Sequence, residues 1–187
     1  MMKKNLEKIL SFSFLFCIIL FSKTFAENRH KVHEHGTSNI TIAIENNVLQ
    51  IQLEAPLMDI AGFEGEPKTK LQKQKLKEAS NKLKNWEDIF KLATGSCSKD
   101  RVTILGEHKK NQIHNHKNYH KKNEKNIHSD IKILYEFNCT KPNNFKFLEI
   151  KLFETFPNIR KINAQWTTAS GQGQKVLNKK QNKLIIR

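Results

Sequence analysis

Ile40, Ile42 and Ile44 are separated by Thr41 and Ala43, and Leu49, Ile51 and Leu53 by Gln50 and Gln52. A period of two predicts two half-buried strands. Asn46-Asn47 stands between them, and asparagine tolerates the left-handed backbone of a tight turn, so the pair is expected to be a hairpin. Beyond Ala55-Pro56, residues 57–66 read as irregular. From Pro67 the apolar positions are Leu71, Leu76, Ala79, Leu83, Trp86, Phe90 and Ala93, mostly at steps of three and four. That spacing predicts one amphipathic helix with a lysine-rich outer face, Pro67 in its first turn and Gly95 as its stop.

Val102, Ile104 and Leu105 suggest a short strand, and Ile131, Ile133, Tyr135 and Phe137 a longer one. Leu148, Ile150 and Leu152, then Ile162, Ala164 and Trp166, then residues 184–186 are expected to add three more, with Gly171-Gln172-Gly173 as a turn. The fold class predicted is α+β: a mainly antiparallel β-sheet with one long amphipathic helix and a polar, histidine-rich loop at about 106–130.

The amino terminus changes the compartment. Lys3, Lys4 and Lys8 precede an apolar stretch from Ile9 to Phe21, and Thr24-Phe25-Ala26 suits cleavage, so residues 1–26 read as a signal peptide. The stretch is shorter than the ~20 residues of a membrane span, and no permanent anchor is expected. Residues 27–187 then form a single periplasmic domain. Cys17 leaves with the leader, and the remaining pair, Cys97 and Cys139, is expected to form a disulfide in an oxidising compartment. The alternative is two buried free thiols. If the strands around 102–105 and 131–137 pair antiparallel, the disulfide clamps the end opposite the loop.

The formal charge is +15, and loss of four lysines and one glutamate with the leader lowers it to +12. Lysine supplies nearly all of it, while Arg29, Arg101, Arg160 and Arg187 are the only arginines left. The planar fork that recognises phosphates and bases is scarce, so nucleic acid is not expected as a partner.

All eight histidines fall in two regions: His30, His33 and His35, then His108, His114, His116, His120 and His128. None falls in a predicted core element. Neutral imidazole is a preferred zinc ligand, and an ordinary pKa of ~6.5 leaves most histidines available near neutral pH. In an extended segment His33 and His35 project to one side, and His114 and His116 repeat that spacing. Six lysines in the loop oppose a dication there, which favours His30, His33 and His35 as the defined site and makes the loop a weak collector. Asp59, Glu64 and Glu66 form an acidic cluster that either assists a metal site or is a solvated loop. Copper or nickel also suits imidazole, although Met58 is the only methionine left after cleavage, and soft copper(I) favours thioethers. A basic envelope module binding an anionic partner such as lipopolysaccharide is the reading from a different class. No nucleophile elbow, His-Glu-x-x-His helix, phosphate loop or Cys-x-x-Cys pair is present, so an enzyme is not expected.

His33-Glu34-His35-Gly36 before a hairpin, the run Ala55-Pro56-Leu57-Met58-Asp59-Ile60-Ala61-Gly62-Phe63-Glu64, a helix leading to one cysteine, a histidine-rich interruption and Ala164-Gln165-Trp166 before a Gly-Gln turn resemble the ZrgA-type periplasmic zinc-binding proteins. The resemblance implies a zinc-binding accessory protein that captures or buffers zinc for uptake, alongside an ABC-type zinc importer. It also implies a histidine where this chain has Gly65, and a loop more acidic than this lysine-rich one. Lower affinity or capacity is the expected consequence.

Overall fold

The computed structural model describes residues 34–93, 96–105 and 129–186. Most of them build two sheets. The larger has six strands in the order β4-β5-β2-β1-β7-β8: β1 (Thr37–Glu45), β2 (Val48–Pro56), β4 (Cys97–Leu105), β5 (Asp130–Cys139), β7 (Lys161–Thr168) and β8 (Gly171–Leu177). The smaller has the order β3-β6-β9, with β3 (Phe90–Leu92), β6 (Phe147–Ile150) and β9 (Lys183–Ile185). Every strand pair is antiparallel except β1 with β7.

The period-two positions form one face of the six-stranded sheet. Ile40, Ile42, Leu49, Ile51, Leu53, Ile131, Ile133, Tyr135, Phe137, Ile162 and Ala164 are all buried. Removing this apolar face from water stabilises the fold, at about 25 cal/mol for each Å² buried. Asn46 has φ 51°, the left-handed conformation the hairpin needs, and Glu45 pairs with Val48 across it. On the other face Thr41, Gln50, Gln165 and Gln174 are exposed.

Two helices matter to the site: α1 (Leu57–Ala61) and α2 (Lys70–Lys84). Thr69 caps α2 by accepting the Gln72 N–H, while the Gln72 side chain accepts the Thr69 N–H, a reciprocal arrangement that satisfies two donors of the first turn. Its buried side, Ala79, Ser80 and Leu83, lies against the sheet, where the Tyr135 hydroxyl donates to the Leu83 carbonyl at 2.8 Å. The Trp86 and Phe90 rings meet Phe137 and Tyr135 edge to face at 5.0 and 5.1 Å.

Four expectations need correction. The helix ends at Lys84 instead of running to Gly95: Asn85 leaves helical geometry at ψ 84°, and Phe90 is spent on a strand pair with Ile150. Leu57 to Ala61, expected irregular, are helical, because a single turn buries Leu57, Ile60 and Ala61 together. Leu152 opens a short helix, α3 (Leu152–Thr155), instead of continuing a strand. Gly171 and Gly173 lie in β8, a polar edge strand; the ring of Trp166 lies so close to Gly173 that a Cβ there would stand 2.2 Å from it. Across the edge of the larger sheet, Cys97 faces Cys139 in register and the two form a disulfide. Leu105 pairs with Lys132 at the other end of the same strands, so the disulfide is at the end opposite the residues that border the expected loop, which itself lies outside the described residues.

Candidate metal centre

The sheet register brings distant parts of the chain to one end. There β1 begins at Thr37, β2 ends at Pro56 paired with Asp130, and Leu105 pairs with Lys132. Glu34, Leu105 and Ser129, the described residues that border the two histidine-bearing segments, are therefore all at this end of the sheet.

Gly36 is the node that fixes the entering strand. Its φ of 82° suits glycine, and its N–H donates to Asp59 Oδ2 at 2.6 Å. Its carbonyl accepts from the Arg160 and Lys161 N–H groups at 2.8 and 2.9 Å. The Arg160 guanidinium lies over it so closely that an added Cβ would stand 2.6 Å from Nε, and the same group donates to the His35 carbonyl at 3.3 Å. The backbone from the His35 carbonyl through Gly36 is thus held from two other parts of the chain. Asp59 can reach Gly36 because α1 buries its apolar residues and turns the carboxylate toward β1. Burial is the first influence on that carboxyl and pushes it above the ordinary carboxylate range, against the Gly36 N–H and the nearby His35, which pull it down.

After α1 the chain reverses at Gly62, whose φ of 77° closes the helix with an N–H to the Met58 carbonyl. Phe63 is buried, and Glu64 comes out beside His35, its Oε1 3.6 Å from His35 Nδ1. The other carboxylate oxygen accepts the Ser129 N–H at 3.3 Å, while the Ser129 carbonyl accepts from Leu57 N–H at 2.8 Å. Glu64 therefore touches both the segment leading into β1 and the residue that precedes β5. Further out, Glu34 accepts from Lys161 Nζ at 2.8 Å, and that bond holds the exposed Glu34 carboxyl below its usual range.

A family model for the ZrgA family zinc uptake proteins matches residues 32–186, nearly everything from the first histidine region to the last strand. The chain belongs to the ZrgA family. No curated protein matches it.

In this ZrgA-family protein, His35 is the one sequence-predicted imidazole within the described residues; it is about half exposed. His30, His33, His108, His114, His116, His120 and His128 lie outside them. Among the described residues no group of three or more histidine, cysteine, aspartate or glutamate side chains is arranged to hold a metal ion. What they contribute is the His35 imidazole with the Glu64 carboxylate beside it, residue types that zinc accepts as ligands. Of the acidic cluster, Asp59 is committed to Gly36, Glu64 faces His35, and Glu66 is exposed. Arg160 carries no signal in the sequence, because it reaches His35 only across the parallel pairing of β1 with β7. No described helix is long and apolar enough to cross a membrane.

Proposed function

We propose that this zinc uptake family protein is a periplasmic accessory protein that captures or buffers zinc and passes it to an ABC-type zinc importer, without catalysing a reaction. In this reading residues 1–26 are a signal peptide cleaved on export, and residues 27–187 are one zinc-binding domain. His30, His33 and His35 form the defined site, and His108, His114, His116, His120 and His128 collect zinc more weakly. The observation that carries the reading is the meeting of both histidine-bordering segments at one end of the sheet, with Glu64 in contact with each.

The chemistry suits capture followed by release. Imidazole ligands that must also give the ion up are expected to bind it more weakly than a closed structural zinc site does. Protonation competes with the metal, so affinity falls below about pH 6. Arg160, on the His35 carbonyl, and Lys161, on the neighbouring Glu34, bring positive charge to this segment, which opposes tight binding of a dication.

Calorimetric titration of the exported, disulfide-bonded protein with zinc tests the reading. The expected result is saturable binding that chelator reverses and that simultaneous replacement of His30, His33 and His35 by alanine weakens at least tenfold. Metal-free protein from the periplasm that gives no heat with zinc sinks it. Retention of affinity and stoichiometry by the triple variant removes the site proposed for those three residues.

A further inference from the structure

The geometry points to Glu64 as the residue that decides which ring nitrogen of His35 faces a metal ion: Glu64 holds the proton on Nδ1, leaving Nε2 as the ligand atom. This rests on the zinc-binding reading of the same end of the sheet. A neutral imidazole carries one N–H and one lone pair, and the hydrogen bond made by one nitrogen sets the role of the other. Metal-binding histidines characteristically give their second N–H to a carboxylate or carbonyl, which fixes the tautomer and the ring orientation.

Here the carboxylate stands on the Nδ1 side. Glu64 Oε1 is 3.6 Å from that atom, longer than a completed hydrogen bond but within ion-pair distance. The carboxylate itself is the better anchored partner. Phe63 beside it is buried, Gly62 fixes the turn before it, and the Ser129 N–H binds its second oxygen at 3.3 Å. The His35 backbone is equally fixed, through the Gly36 N–H on Asp59 and the Arg160 guanidinium on the His35 carbonyl. Asp59 serves the backbone instead, its Oδ2 accepting the Gly36 N–H at 2.6 Å. Glu64 is thus a positioning residue for His35. Because its second oxygen holds Ser129, one carboxylate also ties the segment before β1 to the start of β5.

The test uses the full exported chain, labelled with ¹⁵N, with the imidazole of His35 assigned from the signal lost in H35Q. Long-range ¹H–¹⁵N spectra near pH 8 report the tautomer directly. The expected result is an Nδ1–H tautomer without metal, and a zinc-induced shift of the Nε2 resonance of His35. E64Q keeps an acceptor oxygen, so the tautomer and a zinc affinity close to that of the parent should survive. E64A should release the tautomer and weaken zinc by about 10 to 100-fold, the usual effect of removing such a partner. Zinc arriving on Nδ1 overturns the inference. So does equal loss of affinity in E64Q and E64A, which would make Glu64 itself a ligand. Should E64A fail to fold, the parent and E64Q spectra still decide. Zinc binding that leaves His35 undisturbed sinks the role of Glu64 but spares the zinc-binding reading, whereas a parent chain indifferent to zinc sinks both.

Discussion

The two ends of the six-stranded sheet are held by different chemistry. At one end Cys97 and Cys139 are covalently joined in register, Trp86 packs on Phe137, and the Asn46 hairpin closes β1 on β2. At the other, buried Asp59, half-buried Glu64, His35 and Arg160 hold β1 to its neighbours through hydrogen bonds and charge. Covalent and apolar contacts are indifferent to metal and nearly so to pH. Polar contacts depend on protonation, so the end that holds Asp59, Glu64 and His35 is the one sensitive to pH.

The largest effect should come from the fixed end. Replacing Cys97 and Cys139 by alanine opens a loop of 42 residues, and loop-closure entropy puts the loss near 4 kcal/mol in denaturant unfolding. Zinc affinity of the folded variant should be unchanged under native conditions; a parallel loss would show that the two ends are coupled.

Smaller, but aimed at the pH-sensitive end, is Gly36→Ala. The residue must keep φ 82° with Arg160 pressed against it, so about 1–2 kcal/mol should be lost. Zinc affinity should fall with it, because the His35 carbonyl and ring are placed from this point. Stability lost without any change in zinc binding would separate Gly36 from the site.

Asp59→Asn tests the same end by pH. Burial raises the folded carboxyl above its ordinary 3.8, so the folded chain binds this proton more tightly than the unfolded one. The contribution to stability is therefore greatest below that ordinary value and is lost as pH rises through the folded one. Asparagine removes this titration while keeping an acceptor for the Gly36 N–H. Melting temperatures of parent and variant should thus diverge in favour of the variant as pH rises from about 4 toward neutrality. A constant difference across that range would contradict the shift.

The smallest effect belongs to Lys161→Ala, which removes an exposed partner of Glu34. Such exposed pairs contribute little to stability, and added salt should erase the difference.

Much of the larger sheet was legible because its strands are half-buried and alternate strictly, as in Ile40 to Ile44 and Ile131 to Phe137. The polar edge strand β8 was not: Gly171 to Lys175 bury little, and a strand without a buried face leaves no period to detect. The three residues of β3 looked like the end of a helix, since Trp86, Phe90 and Ala93 keep helical spacing, while Phe90 pairs with Ile150 and Trp86 packs on Phe137. At the candidate site, His35 and the acidic run were visible as residue types. The division of labour among Asp59, Glu64 and Glu66 was not, because it depends on which way a five-residue helix turns its carboxylate.

By itself, the order of residues determined the faces of the strands, the hairpin at Asn46, the pairing available to two cysteines and the supply of imidazole at two places in the chain. Those properties are local, or follow from composition. Only the tertiary structure decided that the segments bordering those imidazoles share one end of a sheet, that Glu64 stands beside His35, and that Arg160, 125 residues away, closes over the same backbone. Such contacts follow from strand register and from the parallel union of β1 with β7. Long-range pairing of that kind is selected by burial of the whole apolar face, which no short stretch of sequence encodes.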